Sequence, residues 1–156
     1  MQISVTVTSS GVLLTGDPAS VVNANIERAI TEATLFLQAQ IKSRTPYRTG
    51  NLSRSIQHKI KGKGTPVVKG IVATSQPYAL PVETGTGVYG PKRVPFVIKA
   101  KPGKALFWIG AEHPVKQVTI QGMVGAHMFE NGLIENTAKL DSIFAKYGLK
   151  IVAELS

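Results

Sequence analysis

The stretch that decides the fold is residues 17–43, DPASVVNANIERAITEATLFLQAQIKS. Asp17 can accept a bond from a free helical N–H, and Pro18 suits the first helical position, where a missing N–H costs nothing. Apolar residues recur at Val22, Ile26, Ala29, Ile30, Ala33, Leu37 and Ile41. That three-to-four spacing runs unbroken over about six turns. It predicts a helix reaching Lys42 or Ser43, roughly 35–40 Å long at 1.5 Å per residue. Thr45-Pro46 stops it, because the residue before a proline is pushed out of helical geometry.

On the N-terminal side, Ile3, Val5 and Val7 alternate with Ser4, Thr6 and Thr8, the period of a half-buried strand. Ser9-Ser10-Gly11 reads as a turn and Val12-Leu13-Leu14 as a short return strand, making residues 1–16 a strand pair. On the C-terminal side, Tyr47–Arg54 reads as a turn with a short helix begun by Asn51. Arg54–Lys61 and Val67–Thr74 read as strands joined by the flexible basic loop Gly62-Lys63-Gly64-Thr65-Pro66. Ser75–Pro95 carries four prolines together with Gly85, Gly87 and Gly90, which predicts neither helix nor central strand. A loop of this length inside a compact domain is commonly functional.

Phe96–Lys99 and Ala105–Ile109 read as short strands joined by the basic turn Lys101-Pro102-Gly103-Lys104, with Phe96, Phe107 and Trp108 assigned to the core. Val115, Val118 and Ile120 suggest a further extended segment. A second helix is expected over Ala126–Lys146, with Phe129, Leu133, Ile134, Leu140, Ile143 and Phe144 on one face and Gly132 weakening it. Tyr147-Gly148 would end it, and Leu149, Ile151 and Ala153 would form a last strand. The resulting expectation is one α+β domain over residues 1–156. A mostly antiparallel sheet packs against the long helix, a second helix lies near the C-terminus, and residues 84–104 form an extended basic loop.

The 156 residues fit one domain and bury roughly 70% of the unfolded chain's surface. With 43% apolar and 17% charged residues, full-length disorder is excluded. The absence of Cys excludes disulfides, zinc ribbons and thiol nucleophiles. Met1-Gln2-Ile3-Ser4 lacks the basic and apolar regions of a secretory signal, and Ala105–Ala111 is too short an apolar run to span a bilayer. The expectation is a soluble protein made in a cytoplasm, without membrane contact.

The formal net charge of +9 is unevenly spread. From Lys42 to Lys116 there are fourteen Lys and Arg against two acids, Glu83 and Glu112; the flanks hold four basic and seven acidic residues. Such a segment suits a polyanion or an acidic protein surface, and it also suits a merely solvated Lys-rich face.

Catalytic and cofactor patterns fail on context. Gly85-Thr86-Gly87-Val88-Tyr89-Gly90 has the glycine spacing of a dinucleotide turn, but Pro81 precedes it and Pro91 and Pro95 follow, where a strand and a helix are required. Pro91 also stands where a P-loop needs Lys. His58, His113 and His127 form no i, i+4 pair, so no metal site is expected. Asp17 and Asp141 are the only Asp residues, one explained as a cap and the other as a helix-surface charge, so no Ser/His/Asp triad is expected either. No catalytic residue, metal or cofactor is assigned. For nucleic acid, Lys59, Lys61, Lys63, Lys69, Lys92, Arg93, Lys99, Lys101 and Lys104 could hold phosphates, by charge rather than by sequence readout.

Two segments in order carry a resemblance. Thr45–Ile56, with Pro46, Thr49, Gly50, Leu52 and Ser55, resembles the P-x-x-T-G-x-L-x-x-S signature of the tail-completion and head–tail joining (neck) proteins of long-tailed bacteriophages. Tyr78–Thr86, with Tyr78, Ala79, Val82, Glu83, Gly85 and Thr86, resembles that family's Y-A-x-x-V-E-x-G-T. Met123–Phe129 stands where the family often has a Pro-Phe-Leu-like segment, and the resemblance covers roughly residues 20–145.

The motif residues also read as fold grammar. Gly50 can take positive φ in the turn after the helix, Leu52 and Ile56 can pack back on it, and Tyr78-Ala79 would enter the core. Glu83, a lone acid among cations, could pair with Arg48, Arg54 or Arg93. The resemblance implies a structural virion protein, assembled in the host cytoplasm. It would form a homo-oligomeric ring of six copies between the connector and the tail tube or tail terminator, with non-specific contact to passing DNA. Glu83, Thr84, Val88, Tyr89, Lys92, Arg93, Lys101 and Lys104 are the expected subunit or partner interface. The alternative is a non-catalytic basic nucleic-acid-binding domain; an enzyme ranks third.

Overall fold

The computed structural model describes residues 1–8 and 18–155, so the Ser9–Gly11 turn, the Val12–Leu14 return strand and the Asp17 cap lie outside the described residues. Contacts divide the chain into two compact units, Met1–Ala79 with Met128–Ser156, and Leu80–His127.

The first unit is built around helix α1, Pro18–Arg44, as its apolar stripe predicts. Strands β1 (Gln2–Thr8), β2 (Ile56–Lys61) and β3 (Val67–Thr74) form an antiparallel sheet in the order β1-β3-β2. β3 is therefore central, and β1 pairs with β3 from Gln2↔Ala73 to Thr8↔Val67. The α+β class and the packing of the long helix on an antiparallel sheet are as expected.

α1 is buried on two sides at once. Ile26 and Ile30 meet Val68, with Val5, Val7 and Ile60 packed around them on the sheet side. Ala29 and Ala33 meet Leu140, Ile143 and Tyr147 of a C-terminal helix. Small residues set both distances. A Cβ on Gly70 of β3 would lie 1.9 Å from the Thr34 hydroxyl oxygen, so the helix crosses the central strand where a side chain is missing.

The C-terminal region is helical to Leu155, not a helix followed by a strand. It comprises α4 (Met128–Ile134) and α5 (Thr137–Leu155). The break falls where the Asn136 amide donates to the Gly132 carbonyl at 2.9 Å and the Thr137 hydroxyl donates to that of Ile134 at 3.0 Å. Such side chains compete with the helical ladder for its acceptors. Ile143, Tyr147 and Ile151 keep the four-residue spacing onto α1, which carries the helix through Gly148 at a cost of about 1 kcal/mol. Leu149 and Ala153, read as strand positions, are exposed on the helix's outer side. Gly132 is explained by packing: a Cβ there would lie 2.8 Å from Ile41.

Between α1 and α5, the Glu32 carboxylate accepts from Lys146 Nζ at 3.0 Å and from the Tyr147 hydroxyl at 2.8 Å. The Lys146 bond, then the Tyr147 bond, hold the Glu32 carboxyl below its ordinary range, and the bond to Glu32 holds both Lys146 and Tyr147 above theirs. Gly70→Ala is expected to cost about 1–3 kcal/mol, read as a lower denaturant midpoint, and Thr34→Ala in the same chain to recover part of the loss. Glu32→Gln tests the cluster by pH. Glu32 is stabilising above its unfolded pKa and loses that contribution as pH falls through its lower folded value. Lys146 and Tyr147 contribute below their unfolded values and lose it as pH rises through their higher folded ones. The midpoint gap between wild type and variant is thus widest near neutral pH and closes toward both extremes.

Candidate functional site

The second unit begins one residue into α3, Ala79–Thr84, in the stretch expected to lack helix. Pro81 is its third residue; first-turn N–H groups have no acceptor within the helix, so proline is tolerated there. A 3-10 turn, Gly87–Tyr89, follows.

Segment 82–88 is laced to segment 121–127 through main-chain atoms. The Thr86 N–H donates to the Met123 carbonyl at 2.8 Å, Val88 N–H to Gln121 at 2.7 Å, Ala126 N–H to Val82 at 2.8 Å and His127 N–H to Glu83 at 3.1 Å. Glycine makes this approach possible. A Cβ on Gly87 (φ 63°) would lie 2.0 Å from the Gln121 carbonyl oxygen, and one on Gly122 (φ 105°) 2.0 Å from that of Thr86. The glycines of the dinucleotide-like pattern therefore serve contact of backbone with backbone.

From this base rises a two-stranded antiparallel ribbon of β4 (Phe96–Lys99) and β5 (Gln117–Ile120), in register from Phe96↔Ile120 to Lys99↔Gln117. It continues through the Ala100 N–H to Lys116 carbonyl bond at 2.8 Å and the Leu106↔Val115 bridge. Ala105–Ile109 is thus not a strand paired with Phe96–Lys99. Lys101–Lys104 is a turn within one arm of the ribbon, closed by the Lys104 N–H on the Lys101 carbonyl at 2.9 Å. A second turn closes with the Ala111 N–H on the Trp108 carbonyl at 3.0 Å.

The aromatic residues assigned to the core are not in it. Phe107 is 68% exposed, Ile109 fully exposed, and Phe96, Val97, Ile98 and Trp108 remain largely open. Every residue of β4 is exposed, so both faces of the ribbon present apolar side chains. Two strands with no covering layer cannot bury either face, and such a ribbon is marginal alone. The run Val94–Ile98 reads as a buried strand by composition, and only the missing third strand turns it outward.

The expected interface residues fall into three places. Glu83 is buried in α3, and Thr84 and Val88 are half-buried in the laced base. Tyr89, Lys92 and Arg93 are exposed where the chain leaves that base, Arg93 at φ 51°. Lys101 and Lys104 are exposed in the ribbon arm. Of the fold-motif residues, Gly50 takes φ 73° ahead of the short helix α2 (Asn51–Ser55), Leu52 of α2 is buried beside α1, and the Ser55 hydroxyl donates to the Leu52 carbonyl at 2.7 Å. Thr49 offers its carbonyl to Arg54 Nη2 at 3.0 Å, and Gly85 takes φ 79°. Tyr78 is exposed rather than in the core; only its neighbour Ala79 is buried. Among the described residues, no cluster of His, Asp or Glu could hold a metal ion, and no helix is long and apolar enough to cross a membrane.

Residues 17–85 match the model of a family described as "Bacteriophage HK97-gp10, putative tail-component". The match takes in α1, the Thr45–Ile56 segment, the sheet hairpin and most of the Tyr78–Thr86 segment, and it ends within the glycine-laced base. Neither a curated protein nor a solved structure matches the chain significantly.

Gly87→Ala is expected to loosen the base by about 1–3 kcal/mol, from backbone strain and the clash with Gln121. Hydrogen exchange reads this directly: protection of the Thr86, Val88 and Met123 amides should fall roughly ten- to hundred-fold, with those of α1 unchanged.

Proposed function

We propose, with the phage tail-component match over residues 17–85 as premise, that this protein is a structural component of a phage virion, without catalytic activity. It closes into a ring, of six copies, at the head–tail interface, where it joins the connector to the tail tube during assembly. The observation that carries the reading is the ribbon with apolar side chains on both faces.

Patches of this kind on a soluble chain mark interaction sites. A ribbon open on two faces needs two covers. A closed ring built from a heterologous contact gives every subunit a neighbour on either side, which supplies them. The ribbon's composition supports the same reading: aromatic and large aliphatic side chains anchor interfaces, while exposed Lys99, Lys101, Lys104 and Lys116 form a charged rim. Tyr89, Lys92 and Arg93 stand at the ribbon's base, where a neighbouring subunit or the tail tube would meet them.

Phe107→Asp with Ile109→Asp tests the ring. Both side chains are exposed, so thermal stability of the subunit should stay within about 0.5 kcal/mol. Light scattering and electron microscopy should show wild-type rings and variant monomers, and virions carrying the variant should fail to join heads to tails. Rings of unchanged size in the variant, or a wild type that stays monomeric at assembly concentrations, would refute the role given to the ribbon.

A further inference from the structure

The open face of the β1-β3-β2 sheet carries charge that the fold does not need. β-strand alternation sends Val5, Val7, Ile60 and Val68 toward α1. It therefore puts Lys59, Lys61 and Lys69 on the opposite face, and all three are exposed. In the register of the sheet, Lys61 stands directly opposite Lys69, and Lys59 lies one row along, opposite Ile71. Like charges directly opposite each other across strands are destabilising, so this pair costs stability.

Among the described residues, no acid stands on this sheet to offset it. Residues 33–82 contain no Asp or Glu, and β1 has none. The acids described in this unit, Glu27, Glu32, Glu130, Glu135, Asp141 and Glu154, lie on helices or, for Glu135, in the turn between α4 and α5. The remainder of the face is Gln2, Ser4, Thr6, Thr8 and Gln57, with Val67, Ile71 and Ala73. A shallow groove of about 470 Å³ crosses it, lined by Gln2, Gln57, Lys59, Lys61 and Ile71 among others.

We infer that this sheet face binds the sugar-phosphate backbone of duplex DNA, without regard to sequence. Lysines flanked by hydroxyl and amide groups are what phosphate contacts use. The strands of this face contribute no Phe, Tyr, Trp or Arg side chain, the residues that anchor protein interfaces, which argues against an acidic protein as the occupant. His58 of β2 is turned to the helix side, where its Nδ1 bonds Gln38 of α1 at 2.9 Å. With no Phe, Tyr or Trp platform for stacking unpaired bases, recognition rests on charge density, which is highest on a duplex. The inference does not depend on ring formation.

Fluorescence anisotropy of the full-length chain with a 30-base-pair duplex of arbitrary sequence tests it, between about 50 and 200 mM salt. Three lysine–phosphate contacts contribute about −2.7 to the slope of log affinity against log salt. The variant K59Q/K61Q/K69Q should lose that much of the wild-type slope, with a melting temperature equal to or above wild type because the Lys61–Lys69 repulsion is gone. R28Q/K139Q/K150Q removes the same charge from exposed helix positions and should keep the slope. Bound duplex should also shield Lys59, Lys61 and Lys69 of the wild type from acetylation.

Equal losses in the two variants would mean diffuse attraction to net charge and would overturn the site. So would a wild type that does not bind duplex, or one that binds polyglutamate but not DNA, which would give the face to an acidic protein. Light scattering on the same samples keeps a failure of the ring distinct from a failure of this site.

Discussion

The first unit depends on α1 being covered from two directions. A helix with one buried stripe can sit on a sheet; α1 must also accept α5 on an adjoining face. Ile26 and Ile30 serve the sheet, while Ala29 and Ala33 let α5 approach closely. Gly70 meets the same demand from the sheet side, since any side chain on β3 at that point would occupy the place of the Thr34 hydroxyl. The two helices are then clipped by the Glu32–Lys146–Tyr147 cluster at the edge of the contact.

The second unit solves a different problem. It has no helix long enough to cover a sheet, and its only regular pairing is the β4–β5 ribbon. Order at its base comes from main-chain bonds between segments 82–88 and 121–127, which glycine permits by leaving room for carbonyls to approach. The base is built without a large apolar core, and the ribbon's apolar side chains stay outside. A unit of this construction completes its burial only when something else covers it, which is the physical basis for reading it as an assembly element.

Charge is partitioned in the first unit as well. On the helices Glu and Asp are interspersed with Lys and Arg, and pairs such as Lys146–Glu32 form there. The sheet's outer face has cations alone. A fold selected only for stability would avoid placing Lys61 opposite Lys69. The arrangement is therefore an indication of an external anion rather than of internal packing.

The amino-acid sequence by itself determined α1, the β2–β3 hairpin, the positive φ of Gly50 and the return of Leu52 and Ile56 onto the helix. These depend on local periodicity and turn chemistry, which neighbouring residues settle among themselves. The family likeness was legible for the same reason, since its two motifs are local segments. Tertiary structure alone decided the rest. Leu149, Ile151 and Ala153 alternate like a strand, yet they belong to a helix because Ile143, Tyr147 and Ile151 pack on α1 at four-residue intervals. Pro81 reads as a helix breaker and sits where a helix tolerates it. Phe96, Phe107 and Trp108 read as core, but whether an apolar strand is buried depends on a third strand or a helix arriving from elsewhere in the chain. Among the described residues none covers them, and no local pattern records that absence.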